Sequence, residues 1–237
     1  MDMFLQVKVR LMKKKINWII KILLRVQLRV PRVVWAGSSY GGFYIVPLKS
    51  MYNGKAFSFG IGADITFDKY LMNKWGMKVY GFDPTPKSCN WVKQCCADIS
   101  NFHFYEYGIS NEDGIKDFYL PRNPRDISGS LMKNSNTARK IQIPFKGIAS
   151  IMEELSINEV DILKLDIEGS ELEVIPDVLK SGMRFKQLCV EIHYRFWENH
   201  KYLNLFKLIR LLNRANYYIV AVSSSYEEIT LLKKLPV

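Results

Sequence analysis

The chain is 237 residues long, 48% hydrophobic and 24% charged, which suits one well-buried α/β domain with an appendage and is short for two full domains. Its net charge of +11 is concentrated in residues 1–32, which carry nine basic residues and one acid, whereas residues 33–237 carry 25 basic and 22 acidic residues. Because the body of the chain is nearly neutral, the composition argues against a nucleic-acid partner, for which we would expect a basic stripe across the domain.

The first 32 residues are expected to form a basic amphipathic N-terminal helix, distinct from a domain over residues 33–237. Polar residues spaced by four within Ile16–Val30 form one stripe on a helix: Asn17, Lys21, Arg25 and Arg29. Charges in the middle of the segment disfavour a membrane-spanning helix and a signal peptide, and Pro31 is expected to end the helix. The helix either packs its apolar face on the domain, or lies through residues 1–30 on the anionic inner surface of a membrane, or binds a partner.

Predicted strands and helices alternate from Ala56 onward, which favours a mainly parallel sheet with helices on both faces. We predict strands over Ala56–Phe59, Lys78–Phe82, Phe102–Tyr107, Ile115–Leu120, Asp161–Leu165 and Gln187–Ile192, and a terminal antiparallel pair over Tyr217–Val222 and Ile229–Leu232. We predict helices over Phe67–Trp75, Ile148–Leu155, Ser170–Lys180 with an interruption near Pro176, and Tyr202–Asn216. The segment Pro121–Lys140, rich in Pro, Arg, Asn and Ser, is predicted to be a loop and a candidate lid.

The four cysteines form no metal-binding pattern. Cys89, Cys95, Cys96 and Cys189 include no C-x-x-C pair, and no histidine stands at zinc-finger spacing. A zinc ribbon is therefore disfavoured, and we expect reduced thiols in a cytoplasmic protein.

A glycine-rich turn directly follows the first predicted strand, with Gly60, Gly62 and Asp64 in the run Ser58–Asp64. Glycines there allow the backbone to approach a nucleotide closely, so the turn fits either a nicotinamide dinucleotide or S-adenosylmethionine. Asp64 would repel a pyrophosphate, and Ile65 stands where G-x-G-x-x-G needs a small residue. S-adenosylmethionine carries an ammonium and a sulfonium, which an acid beside the turn suits.

Asp83 ends the second predicted strand, 23 residues after Gly60. A carboxylate at that position can accept hydrogen bonds from both ribose hydroxyls of an adenosine. The alternative is an aspartate that only starts a proline turn.

Charged residues stand at the ends of two later predicted strands. Asp166 and Glu168 stand where the strand Asp161–Leu165 turns into a helix, and open α/β sheets form their active crevice at such carboxyl ends. Glu191 and His193, two residues apart at the end of the strand Gln187–Ile192, share a face. A carboxylate beside a histidine can orient the ring and raise its basicity, which a base that deprotonates a hydroxyl requires.

These blocks together resemble the FkbM-type methyltransferases over roughly residues 37–232. The resembling blocks are Ser58–Asp68 (SFGIGADITFD), Tyr80–Ser88 (YGFDPTPKS), Tyr107–Ser110 (YGIS), Ile127–Leu131 (ISGSL), Leu163–Glu171 (LKLDIEGSE) and Val190–His193 (VEIH). LKLDIEGSE is the most specific of them and the G-x-G the least. The family's opening usually has an acid before the first glycine; Ser58 or Phe59 stands there instead, so recognition of the ammonium is expected to shift to Asp64.

The resemblance implies a Rossmann-like class I methyltransferase fold with a mainly parallel seven-stranded sheet, S-adenosylmethionine as cofactor, and O-methylation of a sugar hydroxyl in a surface glycan or a secondary metabolite. The cofactor-binding residues it implies are Gly60, Gly62, Asp64, Asp83, Gly108, Ile109 and Asp166. It implies Glu168 and Ser130 as substrate-binding residues. A methyltransferase for a protein, lipid or nucleic-acid acceptor and an NAD-dependent oxidoreductase are the alternatives.

The predicted catalytic residues Asp166, Glu191 and His193 leave two mechanisms open. In the first, His193 held by Glu191 removes the proton of the acceptor hydroxyl without a metal. In the second, the three side chains hold a divalent ion that lowers the pKa of the hydroxyl. We expect the metal-free version, because this mixture of ligands is not a diagnostic metal set.

Overall fold

The computed structural model describes residues 18–123, 126–133, 137–197 and 200–234. Its strands are β1 (Val34–Ala36), β2 (Phe43–Ile45), β3 (Lys55–Phe59), β4 (Lys78–Phe82), β5 (Phe102–Tyr105), β6 (Gly108–Ile109), β7 (Gly114–Pro121), β8 (Thr137–Lys146), β9 (Glu159–Leu165), β10 (Arg184–Glu191), β11 (Tyr217–Val222) and β12 (Glu228–Lys233). Its longer helices are α1 (Thr66–Trp75), α2 (Pro86–Cys95), α3 (Ile148–Leu155), α4 (Glu171–Lys180) and α5 (Lys201–Arg214).

Seven strands form the main sheet in the order β11-β12-β10-β9-β3-β4-β5. Neighbours from β10 to β5 pair in parallel, while β12 runs antiparallel to both β10 and β11. Strand order reverses at β3 and β9, and such a switch point opens a crevice beyond the carboxyl ends of the strands. The Rossmann-like α/β fold with a mainly parallel seven-stranded sheet is confirmed.

Apolar side chains cover both faces of this sheet. Along β3, Phe57 and Phe59 belong to one core cluster and Ala56 to the other, as the two-residue period of a strand requires. Helices α3, α4 and α5 contribute to the first cluster, and α1, α2 and the β1–β2 hairpin contribute to the second. Six of the seven residues of β9 are buried, which is typical of a central parallel strand.

Most predicted elements lie within a few residues of the observed ones, and the differences have local causes. The third predicted strand ends at Tyr105, because the chain then leaves the main sheet and β6 pairs with β8. Helix α4 continues through Pro176, since buried Val174, Ile175 and Val178 anchor it and a proline removes only one backbone hydrogen bond. The sequence interpretation missed β1, β2 and α2.

The candidate lid Pro121–Lys140 is only partly a loop. From Thr137 the chain forms β8, which pairs antiparallel with β7 and parallel with β6 in a separate three-stranded sheet. Buried Phe118 and Phe145 contact each other across this sheet, with ring centroids 5.9 Å apart. Strand pairing in β8 therefore holds the last four residues of the predicted lid, Thr137–Lys140.

The N-terminal helix is shorter at its carboxyl end than predicted. Residues 18–23 are helical, and the part of the prediction before residue 18 lies outside the described residues. The backbone N–H groups of Gln27 and Leu28 donate to the carbonyl of Ile219 in β11, at 2.7 and 3.1 Å. Because β11 is an edge strand, its free hydrogen-bonding groups draw the chain out of the helix seven residues before Pro31.

The described part of this segment presents two different sides. Ile20 and Leu24 are buried in the main core, whereas Trp18, Ile22 and Val26 are 64%, 42% and 49% exposed. One side of the segment thus packs on the domain, and an apolar surface remains on the other. Among the described residues, every helix is too short or too polar to cross a membrane.

Candidate active site

A crevice of about 790 Å³, part of it open to solvent, lies beyond the carboxyl ends of β3, β4 and β9. Its walls come from the main sheet and from the β6–β8–β7 sheet. All seven residues expected to bind the cofactor line it: Gly60, Gly62, Asp64, Asp83, Gly108, Ile109 and Asp166. The fold therefore brings together residues that are up to 106 positions apart in the sequence.

Gly60 and Gly62 form the turn after β3, and both have a positive φ, of 80° and 59°. A Cβ on Gly60 would lie 1.8 Å from the backbone oxygen of Asp166, whereas a Cβ on Gly62 would meet nothing within 4 Å. Gly60 is thus required for the close approach of β3 to β9, and Gly62 leaves open space in front of the turn.

Asp83 supports this turn through backbone hydrogen bonds. Its Oδ2 accepts from the N–H groups of Ile61 (3.0 Å) and Gly62 (2.8 Å), and its Oδ1 accepts from Thr85 (2.8 Å). A carboxylate has about four acceptor positions, so one stays available to a ligand in the crevice. Asp83 is therefore a structural part of the glycine turn as well as a candidate cofactor residue.

Asp64 joins the crevice to the loop after β1. Its Oδ2 accepts a hydrogen bond of 2.5 Å from the Ser38 hydroxyl, and its Oδ1 accepts from the Thr66 N–H at 2.7 Å. Burial acts to raise the pKa of Asp64, but the hydrogen bonds from Ser38 and Thr66 hold it below its ordinary value. The carboxylate that was expected to meet a ligand ammonium is therefore ionised and already holds two neighbours in place.

The acidic end of the crevice surrounds His193, which is 1% exposed. Its Nε2 lies 3.3 Å from Glu191 Oε1, 3.4 Å from Glu168 Oε2 and 3.9 Å from Asp166 Oδ1. Asp166 and Glu168 line the crevice, whereas His193 contacts them from outside its lining and Glu191 lies beside His193. The predicted catalytic trio is thus a real cluster at the ends of β9 and β10.

Glu171, which the sequence interpretation left out, is the closest partner of His193. It is fully buried, and its Oε1 lies 2.8 Å from His193 Nδ1 and accepts the Gly169 N–H at 3.0 Å. Its position three residues after Glu168, at the start of a helix, resembles an ordinary charge at a helix N-terminus. The LKLDIEGSE block contained the residue, but only the tertiary structure places it against the imidazole.

The surroundings of His193 argue against the expected free base. Burial acts to lower its pKa, but the hydrogen bond to Glu171 and the nearby carboxylates of Glu191 and Glu168 raise it to about 12. At neutral pH the ring then carries both protons and has no acceptor nitrogen. The sequence predicted that Glu191 orients His193, but Glu171 makes the shorter contact with the ring, at 2.8 Å against 3.3 Å.

Lys164 is a second residue that the sequence interpretation missed. It is buried within β9, and its Nζ donates to the Gly60 carbonyl at 2.6 Å and lies 3.8 Å from Asp166 Oδ2. A lysine within the apolar run Ile162–Leu165 of a central strand was the available signal. Burial raises the pKa of Asp166, and Lys164 opposes that rise.

Glu168 and Ser130 form a strained corner of the site. Glu168 has a φ of 49°, unusual for a residue with a side chain, and the Ser130 hydroxyl donates to its carbonyl at 2.6 Å. Such strain is concentrated at functional sites. Ser130, which was expected to bind substrate, lines a neighbouring groove, and its hydroxyl proton is used to hold Glu168.

A second groove continues from the crevice along β7. The two share Tyr40, Asp64, Ser128 and Glu168 among their lining residues. The groove adds a mixture of aromatic rings, hydroxyls and a carboxylate: Tyr119, Asp126, Ser130, Thr137 and Phe196. Its position gives a second molecule access to the acidic end of the crevice.

Comparisons with known proteins identify the family of this chain. The family described as "Methyltransferase FkbM domain" matches residues 56–219, which confirms the resemblance seen in the sequence blocks. The human "Probable methyltransferase-like protein 24" is 25% identical over 141 residues, 59% of this chain, and the match spans only 32% of that protein's length.

Two solved structures are similar at 12% sequence identity. The methyltransferase FkbM from Methylobacillus flagellatus KT has a TM-score of 0.48, and the similarity covers 76% of this chain and 43% of that one. The fibrillarin pre-rRNA processing protein of Methanococcus jannaschii has a TM-score of 0.49, with 80% of this chain and 71% of that one covered.

Proposed function

The chain belongs to the methyltransferase FkbM domain family, and from that membership we propose that it transfers the methyl group of S-adenosylmethionine to a hydroxyl oxygen of a sugar or a similar small molecule. The catalytic domain in this proposal is residues 33–237, which contain the family match. The observation that carries the proposal is the meeting of the glycine turn, Asp83 and the acidic end in one crevice.

The crevice offers a complementary environment for each part of the cofactor. Asp83 has an acceptor position left for the ribose hydroxyls. The glycine turn leaves space for close approach at Gly62. Asp64 lines the crevice and is ionised, and its negative charge favours a ligand with a sulfonium and an ammonium over a dinucleotide with a pyrophosphate.

The second groove supports a hydroxylated small-molecule acceptor. Aromatic faces at Tyr40, Tyr119 and Phe196 can stack on sugar rings, and Asp126 and Ser128 offer hydrogen-bond acceptors. The groove meets the crevice at Glu168. An acceptor bound there would direct a hydroxyl toward the cofactor's methyl group.

The transfer itself breaks the bond between the sulfonium and its methyl carbon and forms a bond from that carbon to the acceptor oxygen. The products are S-adenosylhomocysteine and a methyl ether, and the hydroxyl proton has to leave. Because His193 carries both ring protons, a crevice carboxylate is better placed to receive this proton.

Binding measurements test the cofactor part of the proposal. Isothermal titration of the full chain with S-adenosylmethionine should show one site, and NAD should show at least 100-fold weaker binding because its pyrophosphate meets the acidic end. Tight NAD binding with no S-adenosylmethionine binding would overturn the assignment.

Product chemistry tests the oxygen acceptor. We would incubate the protein with methyl-labelled S-adenosylmethionine and a panel of mono- and disaccharides, and treat labelled products with mild alkali. A methyl ether keeps its label under alkali, whereas a methyl ester loses it. Label found on nitrogen, or lost to alkali, would refute transfer to a hydroxyl.

A further inference from the structure

We propose that Asp166, Glu191 and His193 form a binding site for one hard divalent cation of the Mg²⁺ or Mn²⁺ type. The ligand atoms of these three residues all lie within 4.8 Å of one another. Adjacent parallel strands supply them, with Asp166 following β9 and with Glu191 and His193 at the end of β10. The cation's chemical role rests on the proposed function, but its binding does not.

The distances around His193 suit ligands of a common ion better than direct ion pairs. A charge-assisted N–H···O hydrogen bond is about 2.7–2.9 Å long, whereas His193 Nε2 lies 3.3 Å from Glu191 and 3.9 Å from Asp166. Neighbouring ligands around an octahedral ion with bonds of about 2.1 Å are about 3 Å apart. Small side-chain rotations would therefore bring the three groups onto one ion.

Glu171 provides an independent sign of metal ligation. Histidines that bind metals commonly donate their other ring N–H to a carboxylate, which fixes the ring for the metal. Glu171 is fully buried and contacts His193 Nδ1 at 2.8 Å, on the opposite side of the ring from Asp166 and Glu191. Its second oxygen, Oε2, is buried and has no hydrogen-bond partner. Burial of an unpaired carboxylate oxygen lowers the stability of the fold, and the fold accepts this loss while Glu171 holds the imidazole in its orientation.

The charge of the cluster favours a cation. The carboxylates of Asp166, Glu168, Glu171 and Glu191 all lie within 4 Å of the His193 ring. Lys164 lies 3.8 Å from Asp166. Four carboxylates therefore face one lysine and the imidazole. A divalent ion that displaces the proton on His193 Nε2 would offset the excess negative charge.

The ligand chemistry selects the type of ion. Two carboxylates and one imidazole, with Asp166 open to the crevice, suit a hard ion that keeps free positions for water or substrate. An acceptor hydroxyl in such a position would lose its proton more readily. Glu168, which lines both the crevice and the groove, would receive that proton as the methyl group moves from sulfur to oxygen.

Manganese titration of the chelator-treated full chain tests the site without cofactor or acceptor. Loss of the free Mn²⁺ signal in electron paramagnetic resonance should report one saturable site. Glu191→Gln should weaken binding at least 10-fold, and Glu171→Gln should weaken it about 10-fold by loosening the ring. Glu227→Gln is the matched control: Glu227 is a neighbouring carboxylate that pairs with Arg195 at 2.9 Å and lies outside the ligand set.

Thermal unfolding gives a second measurement. Mn²⁺ should raise the melting temperature of the wild-type chain and of Glu227→Gln, and should not raise that of Glu191→Gln. We prefer Glu191→Gln to His193→Ala, because removal of the buried imidazole would leave the buried Glu171 with only the Gly169 N–H as a partner and could prevent folding.

The outcomes separate the two proposals. Absence of saturable Mn²⁺ binding, or binding that Glu191→Gln leaves unchanged, would overturn the metal site. Full methyl transfer in excess chelator would overturn the cation's role in the reaction and leave the proposed function standing. Mn²⁺ binding to wild type but not to Glu191→Gln, in a protein that methylates nitrogen, would support the site and refute O-methylation.

Discussion

Substitution of Asp83 separates its two roles, because the structure assigns it both to the glycine turn and to the cofactor. Asp83→Ala removes the acceptors of three backbone N–H groups, on Ile61, Gly62 and Thr85. Asp83→Asn keeps one oxygen and nearly the same shape. If that oxygen faces Ile61 and Gly62, only the hydrogen bond to Thr85 is lost.

The expected magnitudes follow from these contacts. Ile61 and Thr85 are each 4% exposed, and a buried donor left without a partner costs about 1–3 kcal/mol. Asp83→Ala should therefore lower the free energy of unfolding by about 2–5 kcal/mol, and Asp83→Asn by about 1–2 kcal/mol. Replacing a charged acceptor of the ribose hydroxyls by a neutral one should cost a further 1–2 kcal/mol of binding, or about a 5- to 30-fold loss of S-adenosylmethionine affinity.

Urea unfolding and isothermal titration on the same preparations measure the two effects. Asp161→Asn is the matched control, since Asp161 is 6% exposed, accepts from the Lys55 N–H at 3.2 Å and pairs with Lys186 near the start of β9, away from the crevice. It should lower stability without changing cofactor affinity. A folded Asp83→Asn protein that binds S-adenosylmethionine as tightly as wild type would refute the role of Asp83 in the site.

Three further perturbations test other parts of the structure. In urea unfolding, Gly60→Ala should lose more than 2 kcal/mol, because its Cβ meets backbone at 1.8 Å, and Gly62→Ala, with open space, should lose only about 1 kcal/mol; equal losses would contradict this account. Ser38→Ala should lower stability by about 1 kcal/mol more at neutral pH than in acid, because the hydrogen bond to Asp64 is lost as pH falls through the depressed pKa of Asp64, below 3.8. The hydrogen bonds that Ser38 accepts from Tyr40 and Gly41 are lost at every pH, so a difference that does not change with pH would exclude the link. We also propose that the basic N-terminal segment contacts anionic membranes, so wild type should sediment with phosphatidylserine vesicles in low salt and Trp18→Ala should do so less; equal sedimentation would count against the contact.

Local patterns in the sequence were sufficient to predict much of the main sheet. The predicted strand Lys78–Phe82 matches β4, and the terminal antiparallel pair matches β11 and β12. These segments are buried and short, so hydrophobic runs and turn residues mark them clearly. Strand β8 was missed although Ile141, Ile143 and Phe145 alternate as in a strand, because Pro144 stands inside the run and Arg139 and Lys140 precede it.

The position of β12 between β10 and β11 shows that pairing between strands decides their order in the sheet. The sequence predicts an antiparallel pair at the carboxyl end, and either of its strands can lie next to β10. Only the packed sheet shows that β12 pairs with both neighbours. Contacts between strands distant in the chain decide this order, and local propensity does not report them.

In the candidate site, too, some features follow from the sequence and others only from the tertiary structure. The sequence by itself determined which residues stand at the ends of strands, because glycines and carboxylates directly after apolar runs have few other reasons to occur there. This pattern identified Gly60, Asp83 and Asp166, and all three line the crevice. Only the tertiary structure decided their charge states and partners. Glu171 holds His193, Lys164 holds the glycine turn, and the carboxylates of Glu168, Glu171 and Glu191 raise the pKa of the imidazole. Burial and the electrostatic field of a site arise from side chains that only the folded chain brings within a few ångströms of one another.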